Sequence, residues 1–208
     1  WLVALILAAA AAPWLGLAPP DEIDWMAIQV PPGSEGHVLG TDVLGRDILS
    51  RLLHGARVSL TVGFAAPAIG VGIGLALGLA AGYFRGWVDE VVGVLIDAWL
   101  AIPGLAVLLL FSAVFGGSLS MVCLSLGLLF IPAAARITRA QTLSYANREF
   151  VLAARAMGAS DARILLREVL PNIIWPLMAF VMIDNPIAIV IGILVIASTV
   201  AIGVSGFL

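Results

Sequence analysis

The amino-acid sequence predicts an all-α membrane protein with about five transmembrane helices. Of its 208 residues, 62% are hydrophobic and 11% are charged, whereas charged residues make up about a quarter of a typical soluble domain. Its uncharged runs reach the ~20 residues that a helix needs to cross the hydrocarbon core of a bilayer. Small residues recur at four-residue spacing in one of these runs, as in packed membrane helices. We therefore expect residues 1–208 to form a single transmembrane domain.

The first predicted span is residues 1–18, which carry no charge. Because the sequence begins at Trp1, we expect a cytoplasmic leader to precede this span in the complete protein. The polar segment 19–56 follows, and the apolar spacing near its end predicts a short interfacial helix at 48–53.

Two short motifs lie within this polar segment, Gly40-Thr41-Asp42 and Gly45-Arg46-Asp47. Glycine and aspartate at such spacing predict turns held by the aspartate side chains. Contact with a transported substrate is the alternative role for these six residues.

The second predicted span is 58–84, and it carries a stripe of small residues. Every fourth position is small, namely Ala66, Gly70, Gly74, Gly78 and Gly82. Such a stripe predicts that another helix packs closely against it. A nucleotide-binding role is excluded for these glycines, since no strand precedes them and the spacing is not that of a dinucleotide-binding loop.

Further spans are predicted at 91–115 and 119–135, and a fifth in the apolar tail after Pro171. The 91–115 span carries Asp97 and a kink at Pro103-Gly104. Because an ionisable group within a membrane is costly, Asp97 is expected to face protein or water. A role for Asp97 and Pro103 in the translocation path or in gating is a further hypothesis. The tail is expected to form one long helix, kinked at Asp184-Asn185-Pro186.

The polar stretch between the fourth and fifth spans predicts two short helices joined at a glycine. Asn147 is the expected N-cap of the first helix, and Gly158 ends it, because glycine adopts the left-handed conformation readily. Ser160 and Asp161 are expected to cap the second helix. Pro171 either ends that helix or lies near the first turn of the next.

This stretch resembles the EAA loop of ABC-importer permeases. The family pattern is Glu-Ala-Ala, three residues, Gly, nine residues, Ile, one residue and Leu-Pro. Ala153-Ala154, Gly158 and Leu170-Pro171 match it, whereas Leu152 replaces the glutamate and Glu168 the isoleucine. Glu149 is expected to supply the acidic contact instead.

A second resemblance is independent of the first. Residues 37–60, 82–90 and 101–104 are similar to segments of the dipeptide, oligopeptide and nickel permeases, and the likeness extends over 37–176. It implies a core of six helices, of which this sequence accounts for five. It also implies a membrane subunit of a bacterial importer for peptides or nickel. The implied partners are a second homologous permease subunit, two ATP-binding cassette ATPase subunits and an external solute-binding protein. The residues implied to form the ATPase-coupling loop are Glu149, Ala153, Ala154, Arg155, Gly158, Leu170 and Pro171.

Several other functions are excluded or disfavoured by composition. All ten basic residues are arginines, so the Gly-Lys-Ser/Thr of a Walker A loop cannot be formed and the chain is not an ATPase of that type. The single Cys123 excludes an internal disulfide, and His37 with His54 is a poor metal site. No cofactor is expected, and no basic tract suggests nucleic acid. The alternative function is a secondary carrier or channel that uses Asp97 and Asp184 as an ion relay.

The arginine distribution predicts the orientation in the membrane. Residues 136–168 contain six arginines and Arg85 lies on the same side, whereas Arg46, Arg51 and Arg57 lie on the other. Because cytoplasmic loops collect positive charge, the 136–171 segment is predicted to be cytoplasmic and 19–56 external. The predicted location is a bacterial or archaeal plasma membrane, the inner membrane where there are two, with the chain crossing it several times.

Overall fold

A computed structural model describes residues 2–180, with side chains from residue 6 onward. The described chain is helical and contains no strand, only two isolated bridges within the loop that precedes residue 48. The predicted all-α fold is thereby confirmed. The chain divides into two compact units between Gly63 and Phe64, and each is described by itself below.

The helices have the following bounds. They are α1 (Leu2–Ala11), α2 (Ile48–Phe84), α3 (Gly86–Leu100), α4 (Gly104–Phe115), α5 (Leu119–Tyr145), α6 (Glu149–Ala156) and α7 (Asp161–Arg163). A 3₁₀ turn, Ala12–Trp14, follows α1, and a π-helical segment, Ile164–Val169, follows α7. Residues 170–180 continue that helix.

Fewer spans are found in the described residues than the five predicted. Within residues 2–180, α2 and α5 are long and apolar enough to cross a membrane, and the bent pair α3 and α4 makes a third if it counts as one span. The predicted first span is replaced by the ten residues of α1 and a 3₁₀ turn that contains Pro13. Pro13 has no amide hydrogen, so it cannot continue the i→i−4 hydrogen bonding of α1. Most of the predicted fifth span, including Asp184, lies outside the described residues.

The predicted interfacial helix at 48–53 is not separate, because α2 runs without a break from Ile48 to Phe84. The Oδ1 atom of Asp47 accepts the Ser50 amide at 2.7 Å and so caps the start of this helix. Gly55 does not interrupt the helix, since an interior glycine costs only about 1 kcal/mol.

The fourth predicted span was too short, because α5 continues past residue 135 to Tyr145. Arg136 and Arg139 therefore lie in a helix and not in a loop. Arg136 Nη2 lies 2.6 Å from Asp97 Oδ1, and Arg139 pairs with Asp89. These ion pairs join α5 to α3 and offset the cost of placing arginines on a membrane helix.

The predicted kink at Pro103 is confirmed, and the bend there is sharp enough to divide the span into two helices. Helices α3 and α4 meet at an angle of 80°, and Pro103, with ψ of 124°, begins α4. The 91–115 span is thus two helices with a short non-helical link, because proline cannot continue α3.

The predicted helix–helix contact along the glycine stripe is confirmed, and α5 is the partner. The facing pairs are Gly70 with Phe130, Gly74 with Ala134, Gly78 with Thr138 and Gly82 with Thr142. A Cβ atom built on Gly78 would lie 2.5 Å from that of Thr138 and 2.6 Å from the Ala135 carbonyl oxygen. Both helices advance by four residues in the same direction, so the two are parallel and their C-terminal ends share one side.

Replacing Gly74 and Gly78 together with leucine should disrupt this contact. Forcing bulk into a packed interface costs about 1–3 kcal/mol for each side chain. We expect a clear loss of monodisperse protein on size exclusion in detergent.

The matched control is Gly72→Leu with Ala76→Leu, which places the same two side chains on the exposed face of α2. Equal losses from both double variants would show that α2 and α5 do not pack through the stripe.

Candidate functional site

The candidate site is the elbow, defined here as residues 147–171. Its first helix, α6, ends at Ala156 and is closed by Gly158, whose φ is 79°. The Gly158 amide donates to the Arg155 carbonyl at 3.0 Å, and the Ala159 amide donates to the Ala154 carbonyl at 3.1 Å. These two bonds form a Schellman motif. The predicted left-handed glycine is confirmed.

The two predicted caps have different outcomes. Ser160 is the N-cap of α7, and its side chain accepts the Arg163 amide at 3.4 Å, as predicted. Asn147 does not cap α6, because Arg148 occupies the N-cap position. The Asn147 Oδ1 atom instead accepts a hydrogen bond of 3.1 Å from Arg85 Nη2. Arg85 and the elbow therefore lie at the same end of the helices, as the arginine distribution predicted.

Pro171 does not end the helix; it lies in the first turn of the α-helical residues 170–180, which is the second of its two predicted placements. It lies inside the helical stretch 161–180, directly after the π-helical segment. In an α-helix its ring would clash with the carbonyl of Arg167. The Leu170 amide donates to Leu165, five residues back, and this wider turn accommodates the proline.

The elbow folds over a small apolar core that it shares with the end of α2. The buried members from the elbow and the following helix are Val151, Ala154, Ile164, Val169 and Ile173, and Leu79, Tyr83 and Ala146 complete the cluster. Leu170 packs against it from the rim. Burial on both sides of Gly158 makes α6 and the 161–180 helix one packed unit.

The opposite face of α6 is exposed. Met157 is 82% exposed and Leu152 is 51% exposed, and Glu149 and Ala153 are exposed beside them. Glu149 lies in the first turn of α6, where a carboxylate complements the helix dipole. An open cavity of about 670 Å³ adjoins this end and is lined by Tyr145, Asn147, Arg148, Glu149 and Phe150. The elbow therefore offers a rigid, partly apolar surface to another protein.

Sequence reasoning missed Tyr83, which contacts both halves of the elbow. Its hydroxyl donates to Asp161 Oδ1 at 2.6 Å and accepts from Arg155 Nη2 at 3.0 Å. The Arg155 guanidinium carbon also lies 5.6 Å from the centre of the tyrosine ring. Arg155, one of the residues implied to form the ATPase-coupling loop, thus contacts Tyr83, and this hydrogen bond raises the pKa of Arg155. The available signal was the position of Tyr83, one residue beyond the glycine stripe.

Asp97 is exposed on α3 and paired with Arg136. Its side chain is 70% exposed and that of Arg136 is 57% exposed, so the pair faces outward from the described chain. Asp184, the second acid of the relay hypothesis, lies outside the described residues. The two carboxylates are therefore not brought together within them.

The two turn motifs of the 19–56 segment are held by Asp42, as predicted. Its Oδ1 atom accepts the amides of Leu44 at 2.8 Å and Arg46 at 3.0 Å, and its Oδ2 atom pairs with Arg46 and Arg51. Burial raises the pKa of Asp42, but the hydrogen bonds from Arg46 and Leu44 outweigh it and hold this pKa below its ordinary value. The Thr41 hydroxyl donates to the Ala27 carbonyl and so ties residue 41 to an earlier part of the same loop.

The two glycines of these motifs are required by space as well as by backbone angle. Gly40 has φ of 76° and Gly45 has φ of 75°. A side chain on Gly40 would meet the Val30 carbonyl, and one on Gly45 would meet the Asp24 carbonyl. The geometry of all six motif residues fits a structural role in the loop.

His37 lies between two carboxylates of the same loop. Its Nδ1 atom is 2.9 Å from Asp47 Oδ2, and its Nε2 atom is 3.6 Å from Asp24 Oδ2. The bond to Asp47 raises the pKa of His37, more than burial lowers it. Among residues 2–180, no group of three or more ligating side chains is arranged to hold a metal ion.

The family follows from comparison of the sequence with known proteins. Residues 74–208 match the family described as binding-protein-dependent transport system inner membrane component. The match covers more than half of the chain. This chain belongs to that family. Membership confirms the resemblance to ABC-importer permeases, the multi-pass fold and the inner-membrane location.

Named relatives of this inner membrane component are transport permeases. It is 38% identical over 177 residues to a Brucella suis protein provisionally named a peptide transport system permease, with 85% of this chain and 59% of the relative covered. It is 38% identical over 183 residues to a glutathione transport system permease of Escherichia coli, with 86% and 59% covered. It is 33% identical over 172 residues to a dipeptide transport system permease of Haemophilus influenzae, with 80% and 58% covered. The chain thus spans about three fifths of the length of these curated relatives.

The His37 contacts predict a pH dependence of order in the 19–47 loop. Because the folded pKa of His37 is raised, its contribution is fully present below the unfolded value of 6.5 and is lost as pH rises through the folded value. The contribution of Asp42 has the opposite sign and is lost only at strongly acidic pH. Limited proteolysis should therefore cut this loop more slowly at pH 5.5 than at pH 8.5.

The control is His37→Gln, which keeps a polar side chain but cannot be charged. It should remove the difference between the two pH values once the protease rate is corrected with an unfolded peptide. A parent loop that is cut equally fast at both pH values would contradict the assigned contacts.

Proposed function

We propose that this inner membrane component is the permease subunit of an ATP-driven importer and that the elbow couples it to the ATPase subunits. The observation that carries the proposal is the elbow itself. It has one exposed face, a buried core shared with α2, and a glycine hinge closed by a Schellman motif. When a docked partner moves against this surface, the elbow can move as one packed unit and transmit the displacement to α2.

The proposed partners follow from the family and from the composition. The family is named for dependence on a binding protein, so an external solute-binding protein is proposed to deliver the substrate. The sequence has no lysine for a Walker A loop, so two separate ATP-binding cassette ATPase subunits are proposed to hydrolyse ATP. A second homologous permease subunit is proposed to complete the membrane path. The chain itself is proposed to be a transport subunit and not an enzyme.

The proposed substrate class is short peptides. The relatives are named for transport of peptides, dipeptides and glutathione, and glutathione is itself a small peptide. Nickel, which the sequence resemblance also allowed, has no support among these names. Peptides are therefore the class to test first.

The bend between α3 and α4 is proposed to border the translocation path, together with Asp97 and Pro103. Non-helical backbone at membrane depth is stable only where it is buried in protein or lines a water-filled cavity. Ile102 lies in this link and is exposed, as is Leu109 on α4. In the assembled transporter, a cysteine at residue 102 should react with a water-soluble thiol reagent, and one at residue 109 should not. Protection of residue 102 in every nucleotide state would contradict the proposal.

The coupling role is tested by Gly158→Val in the fully reconstituted transporter. A β-branched residue held at positive φ costs about 1–2 kcal/mol, and relief of that strain should change the angle between α6 and the following helix. We expect assembly to persist while uptake of a labelled dipeptide per ATP hydrolysed falls several-fold.

The matched control is Gly116→Val in the turn between α4 and α5. Gly116 has φ of 82°, Gly158 has φ of 79°, and neither has an atom within 4 Å of an added Cβ. The two variants therefore carry similar strain, but only one alters the elbow. If Gly158→Val transports and hydrolyses like the parent, the elbow does not couple the two processes.

A further inference from the structure

Tyr83 lies where the membrane helix α2 meets the elbow. It is the penultimate residue of α2 and is only 9% exposed. Its ring belongs to the same apolar core as Val151 of α6 and Ile164 of the next helix. Its position is therefore fixed both by α2 and by the elbow.

The Tyr83 hydroxyl bridges the two sides of the Gly158 hinge. It accepts from Arg155, which precedes the glycine, and donates to Asp161, which follows it, at 3.0 Å and 2.6 Å. A tyrosine hydroxyl can donate and accept at once, so one atom closes both contacts. Any change in the angle at Gly158 must stretch or break one of these bonds.

The chain itself enters the elbow from a different helix, α5. The connection from α5 to α6 is only residues 146–148, and one short covalent link leaves α6 free to pivot. Parallel packing along the glycine stripe holds α2 against α5. Tyr83 thus gives the elbow a second attachment, to the neighbouring helix α2. With both the covalent link to α5 and this contact, the angle of the elbow relative to the two helices is fixed.

We infer that the Tyr83 hydroxyl is a positioning group that transmits the angle of the elbow to α2. This inference rests on the proposed coupling function and names one residue through which coupling acts. Tyr83 touches no substrate in this account. Its effect passes through Arg155 and Asp161, and the glycine contact then carries it to α5.

The test is Tyr83→Phe in the complete reconstituted transporter with its ATPase and permease partners. Phenylalanine keeps the ring, its packing and the contact with the Arg155 guanidinium, and removes only the hydroxyl. We expect normal assembly and continued ATP hydrolysis. Uptake of a labelled dipeptide per ATP hydrolysed should fall by at least about three- to tenfold, the range for one lost hydrogen bond, because the hydroxyl makes two.

The matched control is Tyr145→Phe. Tyr145 also has an arginine over its ring, with Arg148 at 5.8 Å, and it lies at the corresponding end of α5. Its substitution should leave the uptake ratio unchanged. Asp161→Asn keeps an acceptor oxygen and should behave like the parent, whereas Asp161→Ala should lower the uptake ratio by no more than Tyr83→Phe does, because it keeps the bond from Arg155. The double variant Tyr83→Phe with Asp161→Ala should be no worse than Tyr83→Phe alone, since loss of the hydroxyl already breaks the bond to Asp161.

A second measurement separates failure of this inference from failure of the proposed function. Spin labels at residues 84 and 166, both exposed in the parent and introduced as cysteines with Cys123→Ser, report the distance between α2 and the elbow. The distance distribution should broaden in Tyr83→Phe and not in Tyr145→Phe. An unchanged distribution, or a broadened one with an unchanged uptake ratio, would overturn the role of Tyr83 while the permease function stood. A parent complex without ATP-dependent uptake would instead reject the proposed function, and this inference with it.

Discussion

Close parallel packing of α2 on α5 is the constraint on which the 64–180 unit depends. In a bilayer, lipid competes with helix surfaces for apolar contact, so helices associate through close backbone approach and van der Waals packing. The glycine stripe allows that approach at four successive positions, from Gly70 to Gly82. Because the two helices are parallel, their ends lie together. The elbow can then pack against both the helix that leads into it and the one beside it.

The features that the sequence predicted well are those set by local chemistry. Gly158 was predicted because few other residues adopt its backbone angle readily, and Ser160 because its hydroxyl can satisfy an amide at the start of a helix. The stripe from Gly70 to Gly82 was predicted from its period alone. The Asp42 turns were predicted because aspartate bonds to the backbone a few residues on.

The features that the sequence did not predict depend on distant partners. Arg136 and Arg139 suggested a loop, but their partners Asp97 and Asp89 lie on α3, about 40 to 50 residues away in the chain. Pro171 suggested a helix end or the first turn of the next helix, and the π-helical turn that accommodates it has no signal in the sequence. The position of Tyr83 beside the glycine stripe was visible in the sequence, but its contacts with Arg155 and Asp161 exist only once the elbow has folded back onto α2. Side chains with long-range partners therefore account for the errors at Arg136, Arg139 and Tyr83.

The central claim is that the exposed face of the elbow contacts an ATPase subunit in the cytoplasm. The most direct measurement places a photo-crosslinking amino acid at Met157, which is 82% exposed, and at Leu105 on α4, which is 76% exposed. In membranes that contain the assembled transporter, residue 157 is expected to crosslink to an ATPase subunit and residue 105 is not. A residue 157 that crosslinks only to lipid or to the external binding protein would contradict the account.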